Sequence, residues 1–200
     1  MKMKEFRKSN IRLHYFLFYK PFGVLSQFTK EGSDKTLTDF GPFPNDVYAA
    51  GRLDADSEGL LLLTNDNELK HTLTHPKFNH PRTYIVQVEA VPADDVLEKL
   101  RGGIIVMSKE TKPAEVRLLT SDPVLSPRPV PIRFRKTIPT SWIEITLREG
   151  RNRQVRKMTA AVGFPTLRLV RTRIGFLSLD GLQPGESRRL TRDEIRRLKS

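Results

Sequence analysis

Four consecutive leucines, Leu60-Leu61-Leu62-Leu63, constrain what this chain can fold into more than any other stretch. An apolar run of that length, opened by Gly59 and closed by Thr64, reads as a strand buried on both faces. Such a strand needs packed material above and below it, so the chain must build a covered sheet. The residues that lead into it are polar. Gly51-Arg52-Leu53-Asp54-Ala55-Asp56-Ser57-Glu58-Gly59 carries four charges between its glycines. A loop that feeds directly into a buried strand is held rigidly, so its charged side chains are aimed, as a chemical site requires.

The length of 200 residues suits one domain or one domain split into two lobes. Thirty-five Lys and Arg against 23 Asp and Glu give a net charge of +12 and a pI near 10.2. That excess is the electrostatic footprint of a nucleic-acid binder. Anionic lipid is the weaker alternative, because no long basic amphipathic segment with an aromatic face is present. The chain has no cysteine. Disulfides, thiol nucleophiles and Cys-type zinc sites are therefore excluded, and a reducing cytoplasm is the expected location. No apolar run approaches the roughly 18 residues of a membrane span. Residues 1–12 are basic without an apolar core and are expected to be a mobile tail, leaving 13–200 as the folded domain.

Along the chain, His14 to Tyr19 alternates around Phe16 and Phe18 as a first strand. Lys20-Pro21-Phe22-Gly23 breaks it, and a polar connection follows to about Asn45. After the leucine strand, Asn65 or Asp66 can cap a short helix that stops before Pro76. Thr83 to Glu89 reads as a strand with Tyr84, Val86 and Val88 on one face. Pro92 opens a helix striped by Val96, Leu97 and Leu100, and Gly102 closes it. Strands are expected at Ile104–Met107, Ala114–Thr120, Trp142–Arg148, Leu167–Thr172 and Phe176–Leu179. Ser121 to Thr140 contains five prolines, reads as a loop and is the expected lobe boundary. Asn152 to Val162 is helical, and Thr191 with Glu194 makes a capping box for a last basic helix. Strands outnumber helices without regular alternation, which favours an α+β fold with a mixed, largely antiparallel sheet.

Arg148 to Arg173 gathers eight cations, among them Arg151, Arg153, Arg156, Lys157 and Arg171, against the single acid Glu149. On a helix, Val155, Met158 and Val162 fall on one side and Arg153, Arg156 and Lys157 on the other. A lone helix of this kind would be an ordinary solvated basic face. Here the preceding loop and the following strand are basic too. An extended surface of one sign points to phosphate, with a helix N-terminus inside the cluster as a further anion site.

For Asp54, spacing alone leaves three readings open: a cap, a surface partner of Arg52, or half of a metal-binding pair with Asp56. The wider sequence adds a resemblance. Gly51-Arg52-Leu53-Asp54 with Ser57-Glu58-Gly59-Leu60-Leu61, and Glu149-Gly150-Arg151-Asn152-Arg153-Gln154-Val155-Arg156-Lys157-Met158, resemble motifs of the RNA pseudouridine synthases of the small-subunit ribosomal RNA type. Lys20-Pro21-Phe22-Gly23, Arg82-Thr83-Tyr84-Ile85-Val86 and Leu169-Val170-Arg171 to Ile174-Gly175 match further blocks in the expected order, over about residues 14 to 180. Val47-Tyr48-Ala49-Ala50 and Ile138-Pro139-Thr140-Ser141-Trp142 are most similar to members of the group that act on large-subunit (23S) ribosomal RNA.

The resemblance implies a central sheet of the pseudouridine synthase type with two lobes flanking a basic cleft. Only about a dozen residues precede the first strand, so the small N-terminal S4-type RNA-binding module of many relatives is expected to be absent. It implies a cofactor-free, metal-free isomerase that breaks the C1′–N1 bond of a uridine in ribosomal RNA and rejoins the sugar to C5. The base must be flipped out of its stack to be reached. Asp54 matches the family's catalytic aspartate; a carboxylate can serve as nucleophile or as base. Arg156 matches the active-site basic residue and is expected to hold Asp54 ionised. Tyr84 matches the active-site tyrosine and is expected to stack on the base. Arg52, Lys20, Arg151, Arg153, Lys157 and Arg171 are the expected RNA contacts. The partner is ribosomal RNA; a monomer with no obligate protein partner is expected.

Two other readings remain at this point. A basic RNA-associated protein without catalysis would keep the arginines but would not need Asp54. A metal-dependent phosphoesterase could use Asp54, Asp56 and the histidines. His71 and His75 stand i, i+4 with His80 nearby, but no cysteine or carboxylate completes a ligand set and Pro76 ends the helix.

Overall fold

A computed structural model describes residues 12–30, 32–132 and 137–200. The expected basic tail therefore lies outside the described residues, except for Arg12. The chain runs through strands β1 (Tyr15–Lys20), β2 (Val24–Leu25), β3 (Lys35–Thr36), β4 (Tyr48–Ala49) and β5 (Glu58–Thr64), then helix α1 (Asn67–Thr74) and strand β6 (Arg82–Glu89). Helix α2 (Asp94–Gly102) precedes β7 (Ile105–Val106), β8 (Lys109–Glu110), β9 (Glu115–Leu118) and β10 (Thr140–Leu147). Helix α3 (Gln154–Ala161), strands β11 (Thr166–Ile174), β12 (Leu177–Ser178) and β13 (Ser187–Arg189), and helix α4 (Arg192–Lys199) complete it.

One mixed sheet organises the fold, in the order β13-β1-β5-β11-β6-β10-β9, with β4 added to β5 and β12 to β11. Every pairing in it is antiparallel except that of β5 with β11. The α+β class and largely antiparallel sheet read from the sequence are therefore present. The leucine strand is buried on both faces, as its composition demands. Leu60 and Leu62 enter one core with Leu17, Leu69, Leu73 and Leu198, while Leu61 and Leu63 enter another with Phe16, Phe18 and Leu37. A third core joins β6, β10, α2 and α3 through Val86, Leu97, Ile143, Ile145 and Met158. No described helix is long and apolar enough to cross a membrane.

Local signals placed several ends correctly. The Asp66 side chain accepts from the Leu69 amide at 3.0 Å and caps α1. Thr191 and Glu194 form the reciprocal capping box of α4. Of the very short strands, β7 and β12 were legible in the sequence, but β2, β3, β4, β8 and β13 escaped it. β13, Ser187–Arg189, carries no apolar alternation because it is the polar edge of the sheet, held to β1 by backbone pairing.

The joint between β5 and β11 is the most demanding feature. Val170 pairs with Glu58 and Arg171 with Gly59, in parallel. Gly59 has φ +111°, and a Cβ there would stand 2.3 Å from the Arg171 carbonyl oxygen, so only glycine fits. Beside it, Arg168 donates to both oxygens of Glu58, Nε at 2.9 Å and Nη2 at 2.8 Å, with both side chains buried. Removing one partner of such a pair leaves an uncompensated buried charge.

Lys20 requires a correction. It was expected to touch phosphate, but its side chain is fully buried at the end of β1. Nζ donates to the carbonyls of Pro21 at 2.9 Å and Val24 at 2.7 Å. Burial lowers its pKa to about 7, against the opposing field of Glu58, Asp56 and Asp54. A neutral amine keeps two N–H donors, enough for both carbonyls. The sequence could not show this, because the same Lys-Pro-Phe-Gly string is compatible with an exposed lysine.

Two outcomes test this account. Gly59→Ala is expected to cost roughly 2–4 kcal/mol in urea unfolding, from backbone strain and overpacking together. For Lys20 the folded pKa lies below the unfolded one, so the unfolded chain binds more protons between about pH 7 and about pH 10.5. Stability from this residue therefore rises with pH through that window and is lost as pH falls to 7. Lys20→Met, compared with wild type by denaturant unfolding at pH 6 and pH 10, should look relatively more stable at pH 6; an identical difference at both would refute the assignment.

Candidate active site

The acidic loop is fixed from two sides before any substrate enters. The Ser57 amide donates to the Asp54 carbonyl at 3.0 Å, closing a turn over residues 54–57. Ser26 Oγ donates to the Leu53 carbonyl at 2.7 Å and accepts from the Leu53 amide at 3.0 Å, and the Gly23 amide donates to the Ala55 carbonyl at 2.7 Å. The segment after β1 thus braces one flank, and arginines around the start of α3 hold the other.

Arg153 donates to Asp56 through Nη1 at 3.1 Å and Nη2 at 2.8 Å, and its Nη1 stands 3.5 Å from the Asp54 carboxylate. Arg156 donates from Nη2 to the Asp56 carbonyl at 2.7 Å and to Ser57 Oγ at 3.3 Å, with Nε 3.4 Å from the Asp56 carboxylate. The expected pairing is therefore shifted. The guanidinium nearest Asp54 belongs to Arg153, while Arg156 secures Asp56 and the turn. Helical phase explains the difference. α3 begins at Gln154, so Arg153 is its N-cap and lies off the helix, in the left-handed conformation at φ 52° and ψ 35°. That uncommon backbone swings the Arg153 fork over both carboxylates.

The electrostatics follow from these contacts. Burial pushes the Asp56 carboxyl up, but the hydrogen bonds from Arg153 and the charges of Arg156 and Arg153 outweigh it and hold the pKa below the usual carboxylate range. The Arg153 guanidinium is raised, first by its hydrogen bond to Asp56. Asp56 thus absorbs most of the arginine fork. Asp54 and Asp56 are equally exposed, at 38%, but Asp54 lines the open space and Asp56 does not.

That space is a pocket of about 630 Å³, within the range of small-molecule sites. Asp54, Tyr84, Leu169, Arg171, Arg153 and Val155 are among its lining residues. Tyr84 is half-buried on β6, between Ile145 of β10 and Arg171 of β11, and packs against two of the three cores. The sheet order brings residues 54, 84, 153 and 171 to one cavity although up to 117 positions separate them in sequence.

The uniform basic surface expected over residues 148–173 is not what forms. Arg148 pairs with Glu115, Arg151 with Glu149, Arg153 with Asp54 and Asp56, and Arg168 with Glu58. Acids, all but Glu149 from outside the segment, neutralise much of it, which reduces the self-repulsion a one-sign surface would carry. Arg151 also donates to the carbonyls of Lys109 and Glu110. Lys157 donates to Asn152 Oδ1 at 3.1 Å and Arg52 is exposed at the pocket mouth. Arg171 is buried on the pocket wall, its Nε donating to the Leu60 carbonyl at 2.7 Å.

Sequence reading missed the roles of Glu149, Gln154 and Arg168. Glu149, the lone acid of the basic stretch, is buried and accepts from Gln154 Nε2 at 2.6 Å, the Lys112 amide at 2.9 Å and Arg151 Nε at 3.1 Å. An isolated acid among many cations is the signal that could have found it. The histidines are spent on packing: His71 and His75 lie 4.9 Å apart by ring centroids and both meet the edge of Phe78. Among the described residues, no cluster of three or more histidine, aspartate or glutamate side chains is placed to hold a metal ion.

Comparisons with known proteins agree with this architecture. The family model described as RNA pseudouridylate synthase matches residues 14–161. The ribosomal large subunit pseudouridine synthase E of Xanthomonas axonopodis pv. citri (strain 306) is 55% identical over 170 residues, covering 84% of this chain and 89% of that protein. The ribosomal large subunit pseudouridine synthase B of Bacillus subtilis (strain 168) is 42% identical, over 93% of this chain and 71% of its own length. A solved pseudouridylate synthase structure superposes with a TM-score of 0.78 at 31% identity, covering 94% of this chain and 74% of its own. With nearly three-quarters of its length matched by the family model and a relative at 55% identity, the chain belongs to the RNA pseudouridylate synthase family.

Proposed function

We propose that this chain converts a uridine of large-subunit ribosomal RNA to pseudouridine, with Asp54 as the carboxylate that acts on the flipped-out nucleotide. The observation that carries the reading is the partly exposed Asp54 at the wall of a pocket it shares with Tyr84, with Arg153 3.5 Å away. The large-subunit assignment is supported by the names of the relatives at 55% identity.

The reaction is an isomerisation and balances without a co-reactant. The C1′–N1 bond breaks, the uracil turns, C1′ bonds to C5, the C5 proton leaves and N1 takes up a proton. Each step asks something of these residues. The extruded base needs a face to replace its lost stacking, which the Tyr84 ring offers; such stacking is worth about 1–3 kcal/mol per base. The carboxylate must be held in place, and the braced 54–57 turn with the Arg153 fork does that. Arg156 acts through that turn as a positioning residue. Arg52, exposed at the mouth, is placed to meet the flanking backbone. The chain works in the cytoplasm, a reading supported by its lack of cysteine and the nature of its substrate.

Tritium release from ribosomal RNA labelled at uridine C5 tests the assignment. Asp54→Asn should lower release by at least about 10²–10⁴-fold while RNA affinity stays near wild type. Arg153→Ala should lower turnover by about 10–100-fold, because the carboxylate loses its orientation. Near-normal turnover in Asp54→Asn would displace Asp54 from the chemistry. No release by the wild type from free RNA or from incompletely assembled large subunits would favour a non-catalytic RNA-binding role.

A further inference from the structure

Five arginines line the pocket, and they are not equivalent. Arg151 and Arg153 are neutralised by Glu149 and by Asp54 with Asp56, and Arg52 is open to water. Arg82 and Arg171 are neither. Arg171 is 2% exposed; its Nε donates to the Leu60 carbonyl, and its Nη2 is buried with no hydrogen-bond partner. Arg82 gives Nη2 to the Leu73 carbonyl at 2.6 Å. Neither has a carboxylate within 4 Å among the described residues. Burial lowers the Arg82 pKa; the Tyr84 hydroxyl opposes this, and the neighbouring Arg171 charge adds to it.

Their placement is specific. Arg171 is registered opposite Tyr84 across β11 and β6, and Arg82 precedes Tyr84 by two positions on the same strand, hence on the same face. A buried cation, Arg171, and a half-buried one, Arg82, therefore flank the tyrosine. Gly150 stands over Arg82: a Cβ there would come within 3.3 Å of Nη1, so the missing side chain leaves that guanidinium open to the pocket. Burying two like charges side by side without a counter-ion is unfavourable, and an incoming anion would relieve it. For Arg151 and Arg153 in the same pocket, this protein supplies the counter-ion itself.

We propose that Arg82 and Arg171 form a phosphate subsite inside the pocket, which grips a phosphate next to the target uridine while Tyr84 holds the base. This rests on the reading of the pocket as a nucleotide site. It separates an inner phosphate, read by the buried Arg171 and the half-buried Arg82, from the outer backbone met by Arg52. An anionic oxygen could instead come from the departing uracil, and the test distinguishes the two sources.

The probes are uridine, uridine 3′,5′-bisphosphate, uracil and 5-nitrouracil, the last ionised at neutral pH, each titrated into the full chain at fixed ionic strength while the Tyr84 ring resonances are followed by NMR. The bisphosphate is expected to bind at least about tenfold more tightly than uridine. That preference should vanish in Arg82→Gln and in Arg171→Gln, return in Arg82→Lys, and persist in Arg148→Gln, whose partner Glu115 lies outside the pocket. Two glutamine variants guard against one failing to fold. Equal binding of uridine and bisphosphate by the wild type overturns the proposal, as does a preference that survives both glutamine variants. A preference for 5-nitrouracil over uracil without any phosphate effect assigns the cations to the leaving base and overturns it too. If neither uridine nor bisphosphate perturbs Tyr84, the nucleotide reading itself has failed.

Discussion

The parallel contact of β5 with β11 is the constraint on which the rest of the molecule depends. It is short, two paired residues, and it has no tolerance: Gly59 lies against the Arg171 backbone and Glu58 is locked to Arg168. A buried bidentate ion pair is weak evidence of net stability, but any register that separated its members would strand two charges. The pair therefore fixes how the first third of the chain meets the last. The acidic turn stands immediately before Glu58, and the α3 arginines stand shortly before Arg168, so one joint sets the distance between them.

From that joint the site is assembled by compensation of charge. The basic segment would repel itself if left alone, and the acids that quiet it arrive from three other places in the sequence: Asp54 and Asp56, Glu58, and Glu115. Asp56 takes the full fork of Arg153 and the backing of Arg156, which leaves Asp54 oriented and still available. Lys20, buried beneath the same loop with a pKa near 7, contributes donors to the Pro21 and Val24 carbonyls and so steadies the segment that braces residues 53–55. What remains uncompensated in the pocket wall is Arg82 with Arg171.

Sequence reading succeeded where a residue's role follows from its neighbours in the chain. The leucine strand, the Asp66 cap, the Thr191–Glu194 box and the apolar stripe of Val155, Met158 and Val162 all have local causes. It failed where a role depends on what another segment brings. Lys20 looked like a surface cation because its covering strands are remote. Arg156 looked like the partner of Asp54 because it lies at the edge of the basic helix face and matches the family's active-site basic residue; the left-handed Arg153, off the helix, takes that contact instead.

By itself, then, the sequence determined the class of fold, the buried leucine strand, the braced acidic loop and the family, since each of these is written in composition, periodicity or contiguous motif. Tertiary structure alone decided which arginine faces which acid, which lysine is sealed from water, and which two guanidinium groups are left without an anion. Charge pairing depends on distances between strands far apart in the chain, and a linear order of residues does not contain those distances.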